Sequence, residues 1–579
     1  MKSIIVLLSV SLSLVMLSMA EAKESPARPT DVRRLPVKEY LDKMKAGWLG
    51  QMAGVGFGAP TEFRWNGATI PEDKMPVWKP ELINQYNQDD IYVEMTFLRT
   101  LEVRGLNASI RQAGIDFARS GYPLWHANED GRSNLRRGIA PPDSGHPQFN
   151  KHADDIDYQI EADFSGLIAP GMPNVAIELG ETFGRLMNYG DGLYGGQFVG
   201  GLYAEAFFES NPVKLVEAGL ACIPAGSQYH ECISDVVKWW KENPDDWQKT
   251  WKLVEDKYNL NDAYRRASCT KVHSGKGGVF NIDAKINGAY IVMGLLYGKG
   301  DPDLTIGVAT RCGQDSDCNP SSAAGVLFTT LGFSKLPEKF VSAINLETLF
   351  SHTPYDLPTV LEVCEKLARQ AVVKAGGTIG KDAAGNEFFV IPVKVPGPGK
   401  LEQCWDATKP ATGARFTAEE MAEITARTGV IDKDFDRFAP GWKISGCGPG
   451  KGHSQQPTER GPRNRWKGKM HIFVTNPSLD KKTPCVLSKS VDVPAGRTTR
   501  LKFAVSHYPA TEWVLVVKAD GKELLTRTIS DETSPDGWVD MVVDLSSFAG
   551  KPVNLELENR PGKTKVDGAY WADLAVVSE

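Results

Sequence analysis

The stretch Arg311-Cys-Gly-Gln-Asp315-Ser-Asp317-Cys318-Asn319-Pro320-Ser-Ser-Ala-Ala-Gly325 organises the reading of this chain. Two carboxylates, Asp315 and Asp317, stand directly before an apolar run (Ala323, Ala324, Val326, Leu327, Phe328, Leu331) that stops at Gly332. Asn319 suits a helix N-cap and Pro320 the first helical position, where a missing N–H costs nothing. With Asn319 capping, neither acid has a structural task visible in the sequence. They form either a solvated turn helped by the helix dipole or part of a site. A second acidic knot far upstream favours the site.

That knot is Asn87-Gln88-Asp89-Asp90-Ile-Tyr-Val-Glu94, which opens a segment apolar nearly all round (Ile91, Val93, Met95, Phe97, Leu98, Leu101). Such a helix is buried in a larger bundle. One of Asp89 and Asp90 can be its N-cap. Two acids, with Glu94 on the same face as Asp90, repel one another when buried unless a cation joins them. Further upstream, helical spacing at Leu41, Met44, Trp48 and Met52 runs into Gly54-Val-Gly-Phe-Gly-Ala-Pro-Thr-Glu62-Phe63. These glycines follow a helix, not a strand, so they are no dinucleotide fingerprint. They allow close helix packing, and Glu62 is the only carboxylate of the turn.

A third acidic run, His152 to Phe164, sets Asp157 and Glu161 on one helical face and Ile160, Phe164 and Leu167 on another. Asp157, Glu161 and Asp163 are either the wet face of an amphipathic helix or groups that contact substrate. Asp283 either lines a site or caps the apolar helix that follows, Ala289–Leu296. Lys271 to Gly278 lacks phosphate-loop spacing. Oxygen donors gathered without His or Cys pairs suit Mg²⁺, with Ca²⁺ or Mn²⁺ as alternatives.

The remainder of the chain bounds the answer. Its 579 residues, 41% hydrophobic and 24% charged, are too many for one core and imply two or three domains. A net charge of -6 argues against nucleic acid or anionic membrane as partner. Lys2, the apolar Ile4–Met19 and Ala20-Glu21-Ala22 read as a secretory signal over residues 1–22, so export to the periplasm or the outside is expected. No later stretch is apolar enough to span a bilayer. Nine scattered cysteines, with no C-x-x-C pair, exclude a disulfide scaffold and a zinc site.

Composition shifts near Gly376. A mixed connecting segment (376–435) holds a hairpin at Phe388–Val395 and a capping box, Thr417 to Glu420. Across 436–579 the period becomes two (Leu501–Val505, Trp513–Val517, Val539–Val543, Val553–Leu557, Tyr570–Val577) after a Gly/Pro/Arg-rich stretch, as in an antiparallel β-sandwich. Its aromatics Trp513, Trp538, Tyr570 and Trp571 either stack on sugar or fill the core; alternation favours the core.

The glycine-rich helix ending in Gly-Ala-Pro-x-Glu62, the Asp89-Asp90 helix start and Asp315-x-Asp317 before Ala-Ala-Gly resemble the ADP-ribosylglycohydrolase family, over residues 38–335. The resemblance implies an all-α orthogonal bundle over 35–375, and the β-sandwich behind it is expected to be a galactose-binding-like jelly roll. It implies a binuclear Mg²⁺ site held by Asp89, Asp90, Asp315 and Asp317, with Glu62 and Asp90 as catalytic residues, acting at C1 of a furanose. Gln88 stands where the family has Thr, Cys318 where it has Thr or Ser, and Val55 near a usual Asp. These departures bear on the second metal and on ADP-ribose as substrate. The expected activity is an exported, metal-dependent glycoside hydrolase acting on a furanosyl unit of an extracellular glycan or glycoside. The alternatives are a carbohydrate-binding protein with a decayed site, and a hydrolase of ADP-ribose or nucleoside N-glycosidic bonds.

Overall fold

Glycine spacing sets the central contact of the fold. In a computed structural model, described over residues 31–265, 282–353, 355–410, 414–425, 438–446, 461–477, 482–564 and 568–579, the first helix is Val37–Gly58. Gly50, Gly54 and Gly58 recur every four residues and share one face. A Cβ at Gly50 would lie 2.4 Å from the Ala324 carbonyl oxygen, and one at Gly54 2.2 Å from that of Pro320. The facing helix, Cys318–Leu331, therefore packs backbone against backbone, and the end of the first helix is delivered to the start of the second.

Around this pair lie Asp89–Arg104, Asp191–Ala206 and Ala284–Gly298. The last is buried at every position. One continuous apolar core joins these helices, with members from Leu35 to Ile424.

Two expected caps are corrected. The Asp315 stretch enters its helix at Cys318, with Asp317 at the cap position and no side-chain cap bond. Asn319 instead sits in the first turn and donates to Asn287 Oδ1 at 2.9 Å. Likewise Gln88 precedes the Asp89–Arg104 helix, so Asp89 and Asp90 occupy its first turn and neither is the cap. Gly332 ends the Cys318 helix as expected, with φ 83°.

The lead-in before the first helix contains a strand, β1 (Val32–Pro36). It pairs with β3 (Glu387–Pro392), which pairs with β2 (Thr378–Lys381), in the order β1-β3-β2. The hairpin expected near Phe388 thus belongs to the helical body, and Phe389 and Ile391 enter its core. The segment after it also lies on that body: His146 Nε2 bonds the Thr408 carbonyl at 2.7 Å, and Arg111 pairs with Glu420. The capping box forms, Thr417 N donating to Glu420 at 2.8 Å and Glu420 N to Thr417 Oγ1 at 3.2 Å.

The C-terminal region is antiparallel β-structure. It comprises β4 (Lys443–Ser445), β5 (Gly461–Trp466), β6 (Lys469–Thr475), β7 (Cys485–Val493), β8 (Thr499–His507), β9 (Trp513–Ala519), β10 (Lys522–Ile529), β11 (Val539–Asp544), β12 (Lys551–Pro561) and β13 (Ala569–Ser578). Two five-stranded sheets, β10-β9-β12-β7-β4 and β11-β8-β13-β6-β5, share one apolar core that includes Phe503, Leu515, Leu557 and Trp571. Trp513 and Trp571 lie in that core, and Tyr570 is buried on the other face, its ring 4.6 Å from Trp466. Trp538 is half-buried and donates to the Trp466 carbonyl at 2.9 Å. Strand β10 escapes the period-two reading because it is a sheet edge whose side chains are mostly exposed. The Gly/Pro/Arg-rich stretch becomes strand from Gly461 onward.

Cys485 is disulfide-bonded. Cys222, Cys232, Cys312, Cys318 and Cys364 are buried free thiols, and Cys404 is buried with its thiol donating to the Tyr189 carbonyl at 3.4 Å. No helix among the described residues is long and apolar enough to cross a membrane. The expected signal segment and Lys271–Gly278 lie outside the described residues.

Candidate functional site

Two backbone clamps hold the acidic stretches together. Phe63 N donates to the Gln314 carbonyl at 2.9 Å, and Gln314 N returns a bond to the Trp65 carbonyl at 2.8 Å. Gln314 takes φ 55° and Phe63 φ 53°, left-handed conformations that cost energy in residues with a Cβ and persist where the surroundings enforce them. Thr61 Oγ1 and Ser316 Oγ lie 2.8 Å apart between the two turns. Trp251 Nε1 supports the stretch from below, donating to the Cys312 carbonyl at 2.9 Å.

The result is a convergence of carboxylates from distant parts of the chain. One oxygen each of Glu62, Asp315 and Asp317 lie within 4.8 Å of one another, and so do an oxygen of Asp90, one of Asp317 and the Cys318 sulfur. Asp90, Asp315 and Asp317 are buried, Asp89 is half-buried, and Glu62 is exposed at the rim.

The electrostatics follow from that placement. Burial first, then the charge of Asp317, raises Asp90 and Asp315 well above the carboxylate range. Burial also lifts Asp89, and pushes Asp317 up to about 6. Glu62 is pushed up to about 8, by partial burial and then by Asp317 and Asp89. Among the described residues, no Lys or Arg is a named cause of any of these shifts.

Both oxygens of Asp90, and Oδ1 of Asp315, are buried without a well-formed hydrogen bond among the described residues, the Cys318 thiol being a weak donor to Asp90. Buried carboxylates are normally paired or bound to metal. The donor set is all oxygen apart from Cys318, and it fits a hard divalent cation. Burial holds the Cys318 thiol protonated, and its sulfur sits 3.8 Å from Asp317 Oδ1 as a weak donor.

The third acidic run is not a wet face. Asp157, Glu161 and Asp163 are all buried, and the predicted single helix is two short ones, Asp157–Ile160 and Asp163–Leu167. Asp157 accepts from Ala127 N at 3.1 Å and Asn128 N at 3.4 Å, at the start of the helix His126–Arg136. Glu161 accepts from Asn128 Nδ2. The charge of Asp89 contributes to raising both, after burial, so this pair flanks the carboxylate group. Asp163 turns elsewhere, toward Ser322 and Glu94.

Asp283 is a cap, the second of its two expected roles. It accepts from Lys285 N at 3.0 Å and Ile286 N at 3.2 Å, and its other oxygen pairs with Lys285 Nζ at 2.6 Å.

One positioning residue, Asn287, is placed by sequence reasoning only at the opening of the apolar helix, with no role in the site. Asn287 Oδ1 accepts from Asp315 N at 3.4 Å and Asn319 Nδ2 at 2.9 Å, while its Nδ2 donates to the Asp283 carbonyl at 3.0 Å and to Gln314 Oε1 at 3.3 Å. Its one signal is a carboxamide inside a helix that is otherwise apolar nearly throughout.

The model of the family described as ADP-ribosylglycohydrolase matches residues 36–375. The chain belongs to the ADP-ribosylglycohydrolase family. Membership points to hydrolysis of a glycosyl bond, and the acidic group above is this member's candidate metal-binding cluster. No curated protein matches the chain. Among solved structures it is similar to one described as "ADP-ribosylglycohydrolase-related protein complex", at 16% identity and TM-score 0.34, over 58% of this chain and 99% of that one. A second, described as "CBM4 structure and function", is 14% identical with TM-score 0.16, over 24% of this chain and 86% of that one. Both likenesses are too remote to support argument.

Proposed function

We propose that this ADP-ribosylglycohydrolase-family chain is an exported, metal-dependent glycoside hydrolase that cleaves the bond to a furanosyl-type sugar in an extracellular glycan or glycoside. The observation behind it is the convergence of Glu62 with Asp90, Asp315 and Asp317, beside Asp89, with buried oxygens left without a well-formed hydrogen bond. Asp89, Asp90, Asp315 and Asp317 would hold Mg²⁺, with Ca²⁺ or Mn²⁺ as alternatives. Such ions, when bound, supply a Lewis-acidic grip on neighbouring sugar hydroxyls.

The chain's own residues do the rest. The Phe63–Gln314 and Gln314–Trp65 bonds hold the Glu62 turn rigid, and orientation of this kind supplies several kcal/mol of barrier lowering. Glu62 alone of the group is open at the rim, so it can reach both the glycosidic oxygen and a water molecule. In the metal-free chain its carboxyl keeps a proton up to about pH 8, which suits a group that gives or takes a proton at the anomeric centre. In the sandwich, Trp513, Tyr570 and Trp571 are buried, and half-buried Trp538 is the remaining sugar-contacting candidate of the four.

The test is release of reducing sugar from furanosides, with ADP-ribose and nucleosides in parallel, with and without EDTA. Equal rates in the two conditions would remove the metal from the mechanism, and faster turnover of ADP-ribose would return the substrate class to the family's namesake. The thiol of Cys318 beside Asp317 favours a second reading, a carbohydrate binder with a decayed centre. Asp315→Ala and Glu62→Gln abolish turnover under the first reading and leave glycan binding unchanged under the second.

A further inference from the structure

Beneath the acidic group, four helices bring a separate set of polar side chains into the core. Gln51 comes from the first helix, Glu94 from Asp89–Arg104, Asp163 from Asp163–Leu167 and Tyr203 from Asp191–Ala206. None is more than 1% exposed. Their contacts interlock. Glu94 Oε2 accepts from Phe164 N at 2.8 Å, which sets its carboxylate beside Asp163. Asp163 Oδ2 faces Ser322 Oγ at 3.5 Å. The Tyr203 hydroxyl reaches over Gly325, where a Cβ would meet it at 1.6 Å and Gln51 Cγ at 3.1 Å.

Each of these side chains keeps an unsatisfied atom. Glu94 Oε1 has no hydrogen-bond partner among the described residues, while the Tyr203 hydroxyl lies between Asp163 and the Gln51 carboxamide too loosely to satisfy Asp163 Oδ1 or either end of the carboxamide with good geometry. Each such group costs about 1–3 kcal/mol, more when charged. Two acids facing each other without a cation cost more still, and unsatisfied groups in this number call for an occupant. Among the described residues no Lys or Arg is a named cause acting on Glu94 or Asp163, and burial, with Asp163 as neighbour, drives Glu94 well above the carboxylate range.

We infer that Gln51, Glu94, Asp163 and Tyr203 form an internal cation site, distinct from the Glu62–Asp317 group, that takes a dehydrated Ca²⁺-like ion. Two carboxylates balance a divalent charge. A carboxamide, a phenol and a hydroxyl complete an all-oxygen set. Mg²⁺ parts with its waters reluctantly, whereas Ca²⁺ accepts a varied shell of protein oxygens, which suits a position closed to solvent. The ion ties four helices together, so its role is structural.

The test is metal content of the full chain after dialysis against Ca²⁺ with excess Mg²⁺, beside Glu94→Gln/Asp163→Asn. Wild type retains one more calcium equivalent than the variant, and EGTA lowers its melting temperature but not the variant's. Equal calcium content overturns the site and leaves a protonated carboxyl pair in its place. Should the variant fail to fold, calcium anomalous scattering from wild-type crystals decides: a peak between Glu94 and Asp163 supports the site, and a blank map refutes it.

Discussion

Gly54→Ala probes the contact on which the acidic group depends. An alanine methyl there would come within 2.2 Å of the Pro320 carbonyl oxygen and 2.3 Å of Ser321 N, where ordinary contact begins at 3.4 Å. Both neighbours are backbone and cannot rotate away, so the two helices must part by about 1 Å or carry the overlap as strain. Alanine gains about 1 kcal/mol over glycine within a helix, and overpacking costs about 1–3 kcal/mol or more. The net effect on stability is therefore small to moderate. The effect on the site is larger. Glu62 follows the first helix and Asp317 precedes the second, so parting the helices moves them apart, and a misplacement near 1 Å costs about a hundredfold in catalysis. Gly307→Ala is the control, because a Cβ there meets nothing within 4 Å. Urea unfolding and calorimetric Mn²⁺ titration of both variants provide the assay. Gly54→Ala should lose at least about tenfold in Mn²⁺ affinity, while Gly307→Ala binds like wild type. If Gly54→Ala matches Gly307→Ala in both stability and affinity, the backbone contact does not position the site.

Other perturbations address the same framework. In the metal-free chain Glu62 holds its proton up to about 8, Asp157 and Asp163 to about 7, and Asp191 and Asp317 to about 6. The folded state thus binds more protons than the unfolded one above about pH 4.5. Unfolding free energy should fall as pH rises to about 8, and a flat or rising urea-midpoint profile would contradict these shifts. Asp90→Asn replaces a buried carboxyl that its surroundings hold protonated with a neutral carboxamide; it should change the stability of the metal-free protein little near neutral pH and abolish the gain in melting temperature on adding Mg²⁺. Asn287→Ala frees the Asp315 turn and should weaken divalent binding about 10–100-fold, with little change in the unfolding midpoint of the sandwich. Lys285→Met strips the partner from buried Asp283 and should cost about 3–5 kcal/mol in urea unfolding; a loss below 1 kcal/mol would mean that the pair is not the anchor of its helix.

The architecture was legible wherever local pattern and burial agree. A glycine every fourth residue, an apolar run on all faces of one helix and a period of two beyond residue 500 each reflect a side chain meeting one kind of surroundings. Strand β1 was not legible, since five residues of mixed exposure ahead of a helix become a strand only when β3 arrives from more than 350 positions later. Strand β10 was hidden for a related reason: an edge strand exposes most of its side chains and so loses alternation. The caps were misread because Asn319 is drawn into a hydrogen bond with Asn287 from another helix, which outweighs its local preference for the cap.

Residue type alone singled out the acids that gather at the candidate site, set beside small residues that admit close backbone approach. Their assignment to separate tasks came from packing. Asp283 becomes a cap once Lys285 folds back on it, Asp163 leaves its neighbours to face Glu94, and Glu62 reaches Asp315 through two reciprocal backbone bonds. Charge and size are properties of a residue and can be read along the chain. Which charges share a low-dielectric space depends on contacts between segments hundreds of residues apart, and no local pattern encodes those.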